Sequence, residues 1–343
     1  MKITLVIPTV QSVPTDRPTR CPQCASPYLA RHGCVTKPVT DTKLAAVQAM
    51  RYRCTGCGVT FRHYPGGVSR ARQSQRLVVL AVLMQGLGLS CSATSHLLRA
   101  QEAGIAPVTV WRDVQALGQR LRQRRPAGRR VAVLGADETY VHLQGRTTCL
   151  GVVTDAQSGE TLGVEVLVEQ DAAGFLRWLQ GFVQDLGVQV VVTDDLSTYK
   201  PVLERLGVQH QVCIAHVRKN VTKRLRDLPG QEAVKTAVRE LVRDFPPWGE
   251  RALRELAKTL RRHVPWRRFL SELADKWRSL RRFREDSRVP ATNNVTERAI
   301  GRSKVRYKTV RGFKSEEGML NLVALTQWLY TPQPIHDLQA LVS

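Results

Sequence analysis

At 343 residues the chain exceeds one average domain and suits two or three. Its 43% hydrophobic content excludes general disorder. The 52 Lys and Arg against 29 Asp and Glu leave a net charge of +23, which calls for a polyanionic partner, because every neutralised phosphate releases condensed counterions. The opening MKITLVIPTV has one Lys, a short apolar run and no small-residue cleavage site, so it reads as a short strand or tail rather than a signal peptide. The longest apolar stretch, Leu77–Leu89, is interrupted by Gln and Gly and is too short for a bilayer, so no membrane partner and no lipid anchor are expected. A reducing cytoplasm is the expected compartment, and most of the eight cysteines then need a role other than disulfides.

In chain order, residues 1–18 form a Pro- and Thr-rich tail. Residues 19–66 follow, with Cys21-Pro-Gln-Cys24 answered by Cys54-Thr-Gly-Cys57. Two such tight turns aim four thiolates at one point, as a structural zinc ribbon requires. His32, Cys34 and His63 are the substitute ligands. A closed four-cysteine site has no open coordination position, so its task is to fold a small module rather than to catalyse. Residues 70–126 read as three helices. Ser90 or Ser92 caps the second, and Thr109–Leu121 is the basic third. This order fits a helix-turn-helix DNA-binding domain with Arg112 and Arg120 toward DNA, although a plain three-helix unit has the same periodicity.

From residue 127 the pattern becomes mixed α/β. Arg130–Asp137 is an apolar run ending in an acid and reads as a buried central strand with Asp137 at or near its end. Thr147–Thr154 and Thr161–Val168 are the next strands, with Gly159 between them. Ala172–Leu186 is an amphipathic helix, and Gln189–Asp194 is a second buried strand ending in an acid. Ser197–Leu206 is a helix and Gln211–Cys213 a short strand. Side chains alternate along a strand, so Asp137 and Glu138 cannot both face one site, nor can Asp194 and Asp195. Two strand-end acids suit a magnesium site, but ordinary strand-end caps look the same. Residues 221–290 are basic and helical in pattern, with Trp248, Trp266 and Trp277 expected in a core. Residues 291–330 are helix-rich, and 331–343 form a tail.

Three segments decide between the readings. GADETY at 135–140, VTDDLSTY at 192–199 and TNNVTER at 292–298 together resemble the DDE transposases of bacterial insertion sequences. Cys54–Phe61 (CTGCGVTF) and Gly312–Gly318 (GFKSEEG) are also typical of such elements, and Cys213-Ile-Ala-His216 resembles the CxxH motif of their Mutator-like branch. The resemblance runs from about Cys21 to Tyr330. It implies a multidomain α/β protein: zinc ribbon, helix-turn-helix, and a ribonuclease H-like mixed-sheet catalytic domain (127–220 and 291–330) with an all-helical insertion (221–290). Roughly a hundred residues separate Asp194 from Glu297, too many for a simple connection. The triad Asp137, Asp194 and Glu297 would hold Mg²⁺ or Mn²⁺, two ions together, and Asp195 is the alternative to Asp194. Cys213 and His216 are expected near the site, with no metal of their own. Arg298, Arg302, Lys304, Arg306, Lys308 and Arg311 would hold DNA phosphates. The implied activity is metal-dependent cleavage and strand transfer of double-stranded DNA, at transposon ends and target, by a homodimer or larger assembly at the nucleoid. A non-catalytic DNA-binding regulator and a stand-alone ribonuclease H-like nuclease are the alternatives.

Overall fold

The computed structural model describes residues 4–123, 129–310, 312–331, 335–337 and 342, without the side chains of 4, 5, 305, 306, 308, 309 and 335–337. The chain divides into two compact units. One contains residues 1–125, 308–311 and 317–343; the other contains 126–307 and 312–316. The expected catalytic stretch 291–330 is thus shared between the units.

The first unit begins with β1 (Thr4–Val6), followed by a three-stranded antiparallel sheet of β2 (Leu29–Pro38), β3 (Ala46–Cys54) and β4 (Thr60–His63), in that order. The β2–β3 register slips between Arg31 and Cys34, where Gly33 has φ of 95°, a conformation that costs glycine least. Cys21, Leu29, Tyr52 and Cys54 form a small core at one end, and Val10, Val39, Val47 and Val68 form another. Three helices follow: α1 (Gln75–Gly86), α2 (Cys91–Ala100) and α3 (Pro107–Gln123). Ser74 Oγ accepts from the Leu77 N–H, and Ser90 Oγ accepts from the Ala93 N–H, so each serine satisfies an orphan donor of its helix. Ser74 and Arg76 also hold the buried Asp41 carboxylate. Leu77, Ala81, Leu98, Ala103, Ile105 and Val110 form the core of the helices.

The second unit is built on a five-stranded mixed sheet. Its strands are β5 (Val133–Leu143), β6 (Arg146–Asp155), β7 (Thr161–Leu167), β8 (Val190–Thr193) and β9 (Gln209–Val212), ordered β7-β6-β5-β8-β9. The first three run antiparallel, whereas β8 pairs parallel with both β5 and β9. The crossovers are α4 (Ala172–Leu186), capped by Asp171 and ended by Gly187 at φ 65°, and α5 (Tyr199–Arg205). They cover one face, where Leu134, Val191, Phe175, Trp178, Leu179 and Tyr199 pack. One expectation is corrected: β5 does not end at Asp137 but continues to Leu143, because its antiparallel pairing with β6 extends that far. The parallel ladder with β8 does stop at Gly135, so Asp137 stands just past the end of that ladder.

After β9 come α6 (Ile214–Asp227), α7 (Glu232–Asp244), α8 (Gly249–Thr259), α9 (Val264–Leu280) and α10 (Arg282–Glu285). The chain has no break at residue 221, the expected start of the insertion; α6 runs through it, and Val212 and Ile214 already belong to the helical core. Trp266 and Trp277 are buried there, their indole N–H groups donating to the carbonyls of Pro229 and Pro246, both at 3.0 Å. Trp248, expected in this core, is instead 62% exposed. The Ile214 N–H donates to the Ala291 carbonyl at 3.0 Å.

Then α11 (Asn294–Val310) packs Ala299 and Ile300 on Val152 of β6. The last elements are α12 (Glu316–Tyr330) and β10 (Ile335–Asp337). In the first unit, the Asn321 amide of α12 donates to Gln115 of α3 at 2.9 Å, and a Cβ on Gly118 would lie 2.3 Å from the Asn321 carbonyl oxygen. The expected terminal tails meet: β10 pairs parallel with β1. Among the described residues, no helix is long and apolar enough to cross a membrane.

Candidate active site and cysteine cluster

Three elements of the second unit deliver the acids. Asp137 lies on β5, Asp194 immediately follows β8, and Glu297 sits in the first turn of α11. A buried polar seam fixes the start of α11. Thr296 Oγ1 donates to Asn293 Oδ1 at 2.8 Å and lies 2.7 Å from Thr154 Oγ1, while Asn293 Nδ2 donates to the Ala136 carbonyl at 2.9 Å. Gly135 makes this approach possible. A Cβ there would lie 2.2 Å from Thr296 Oγ1, 2.8 Å from Thr154 Oγ1 and 3.0 Å from Asn293 Oδ1. Thr296 thus has a structural role that its position in the motif did not disclose.

Asp137 carries the electrostatic signature of this convergence. Burial first, then the charges of Glu138, Asp194 and Glu297, push its carboxyl up to about 7, against the stabilising N–H of Glu138. Glu138 is raised by burial and by Asp194, although Tyr199 Oη donates to it at 2.6 Å. The Tyr199 hydroxyl is itself driven well above its ordinary range, by burial and then by Glu138. Of the adjacent acids on β8's exit, Asp194 accepts from the nearby Leu196 N–H at 3.0 Å. Asp195 is held by Lys276 Nζ at 2.7 Å and Asn220 Nδ2 at 3.1 Å. Asp155 is tied into a turn by Ser158 and by Arg129, 2.7 Å away.

Cys213 caps the start of α6, its N–H donating to the Thr193 carbonyl at 2.8 Å, and its side chain is fully buried. His216 lies one turn on, with Nδ1 3.7 Å from Glu297 Oε1. The donor atoms of Cys213, His216 and Glu297 all lie within 4.8 Å of one another. The starts of α6 and α11 lie side by side and bring these three donors together.

In the first unit, the sulfurs of Cys21, Cys24, Cys54 and Cys57 lie within 4.8 Å of one another. Cys21 to Cys57 is 3.7 Å and Cys24 to Cys54 is 3.6 Å. A tetrahedron with Zn–S bonds of about 2.3 Å has edges of about 3.8 Å, so the four thiols fit zinc. The Cys54 thiol is drawn down to about 6, first by the Cys57 backbone N–H. His63 does not join them; its Nε2 lies 3.0 Å from Asp16. Cys34 is exposed on β2, outside the cluster, as is His32.

Among the basic residues, Arg112 and Arg120 are exposed on α3, and Arg298 and Lys304 on α11. Arg302 is half-buried, its guanidinium pulled down by burial and then by Arg298. Arg311 and the side chains of Arg306 and Lys308 lie outside the described residues.

The resemblance to DDE transposases is matched by comparison with known proteins: residues 230–321 fit the model of the Transposase IS66 family. That stretch holds Glu297 and most of the helical insertion, but neither aspartate. No curated protein matches the chain. Among solved structures, the catalytic core domain of BIV integrase shares 14% identity over 43% of this chain and 82% of its own, with a TM-score of 0.21.

Proposed function

We propose that the protein is a DDE-type DNA transposase with Asp137, Asp194 and Glu297 as its catalytic acids. The observation that carries this reading is the state of Asp137, a half-buried carboxyl pushed to about 7 in part by the other two members. Such mutual repulsion is what a divalent cation relieves, and the all-oxygen donor set fits Mg²⁺ or Mn²⁺. Bound there, two such ions would supply the activation of water or a 3′-hydroxyl and the stabilisation of the leaving oxygen. Asp137 must surrender its proton to become a ligand. Tyr199 holds Glu138 aside, and Lys276 with Asn220 holds Asp195 aside, which favours Asp194 as the second acid. Exposed Arg298 and Lys304, on the same helix as Glu297, are suited to phosphates. The sheet order β7-β6-β5-β8-β9 supports a ribonuclease H-like catalytic domain. The four-cysteine cluster supports a zinc ribbon, and α1–α3 support a helix-turn-helix with Arg112 and Arg120 toward DNA. The two modules would together bind the element's terminal repeats at the nucleoid. Two ends must be joined, so a dimer or larger assembly follows from the reaction.

The test is incubation with terminal-repeat DNA and Mg²⁺. We expect 3′-end nicks and strand-transfer products from the wild type, and none from Asp137→Ala. Products that survive Asp137→Ala refute the triad, and tight binding without products from the wild type refutes catalysis in favour of a regulator.

A further inference from the structure

We propose a second metal site in this unit, formed by Cys213, His216 and Glu297, that takes a borderline transition ion of the Zn²⁺ class. Three observations carry it. The donor atoms converge within 4.8 Å, from the first turns of α6 and α11 and the residue preceding α6. Zinc bonds of about 2.0–2.3 Å place neighbouring ligand atoms about 3.3–3.6 Å apart, so only a small closure separates these donors from a coordinating set. His216 Nδ1 is buried and has no hydrogen-bond partner among the described residues; its 3.7 Å separation from Glu297 Oε1 is too long for one but suits two atoms sharing an ion. Finally, thiolate, imidazole and carboxylate together select zinc-like ions over Mg²⁺, which requires oxygen.

The position of the site gives it a consequence. Glu297 belongs to both donor sets, so an ion held by Cys213 and His216 competes with the triad for the third acid. Zn²⁺ would therefore oppose Mg²⁺, and three protein ligands leave one coordination position open to solvent. The binding stands on its own; only the inhibition rests on the transposase reading.

Co²⁺ provides the test, because its bond to thiolate absorbs in the near ultraviolet. The full chain is first loaded with one equivalent of Zn²⁺ to fill the four-cysteine cluster and is then titrated with Co²⁺. The wild type should take up a further equivalent and develop the charge-transfer band. Cys213→Ser should lose the band, and His216→Ala should weaken binding about tenfold or more. Circular dichroism reports whether Cys213→Ser folds; His216, 40% exposed in its side chain, carries the test if it does not. No further equivalent in the wild type, or an unchanged titration in the folded variants, overturns the site. In a parallel arm, Zn²⁺ should raise the Mg²⁺ needed for DNA cleavage in the wild type, and less in His216→Ala. A wild type that binds Co²⁺ but never cleaves sinks the transposase reading and leaves the site standing.

Discussion

Mg²⁺ binding should release a proton from Asp137, and the number released should follow pH. With its carboxyl at about 7, Asp137 is mostly protonated at pH 6, half protonated at pH 7 and mostly ionised at pH 8. Only the carboxylate is a ligand, so affinity at pH 6 should be about tenfold below its plateau, and at pH 7 about twofold. An aspartate at the ordinary 3.8 would make binding flat over this range. Calorimetry in buffers of different ionisation enthalpy counts the protons directly: about 0.9 at pH 6, about 0.5 at pH 7 and about 0.1 at pH 8. Glu138 is the strongest charge acting on Asp137, so Glu138→Gln should move the midpoint to lower pH, as should Asp194→Asn. The sign also holds for stability. A raised carboxyl favours the protonated fold, so without metal its contribution is complete below 3.8 and is lost as pH rises through about 7, on the order of 4 kcal/mol in all. Mg²⁺ should therefore raise the melting temperature more at pH 8 than at pH 6. Proton release that is absent at pH 6, or equal at pH 6 and 8, refutes the argument.

Three further outcomes are expected. Gly135→Ala places a methyl against three buried, hydrogen-bonded oxygens, so calorimetric unfolding should show a loss of about 1–3 kcal/mol with impaired cleavage; a change within about 0.5 kcal/mol would contradict the close approach. Asp113, raised to about 6 mainly by burial, contributes stability below 3.8 that is lost as pH rises through about 6. Asp113→Asn keeps an acceptor for the Gln73 amide, so it should stabilise the protein by about 1–2 kcal/mol at pH 7 and by little at pH 4, checked by thermal melts at both. Metal analysis should find zinc retained through dialysis in the wild type and lost from Cys54→Ser, whose Tyr52 and Leu29 then lose their small core, visible as loss of near-ultraviolet dichroism.

Local pattern made much of the second unit legible. The helix Ala172–Leu186 is found at its predicted ends, because both Asp171 and Gly187 mark them chemically. Ser90 likewise marks α2. The apolar run 189–193 announces a buried strand, and Asp194 stands where that run stops. Relations between distant segments were not legible. The continuation of β5 past Asp137 depends on pairing with β6. Gly135 matters because Asn293 and Thr296 come to rest against it, and no periodicity reports that. Glu138 is engaged by Tyr199 across 61 positions, and Glu297 meets His216 only once α6 and α11 start together. Trp248 follows the same logic, since aromatic character alone does not distinguish it from buried Trp266 and Trp277.

The hydrogen bond from the Ile214 N–H to the Ala291 carbonyl has a consequence for evolution. It joins the two mouths of the long helical excursion, so the chain returns to the place it left. The excursion also carries much of its own apolar core. Its length is then nearly free: closing a loop twice as long costs only about 0.6 kcal/mol. Helices can be gained, lost or exchanged between those mouths while Asp194 and Glu297 keep their positions. A lineage could in this way alter what the excursion grips without rebuilding the acids beneath it.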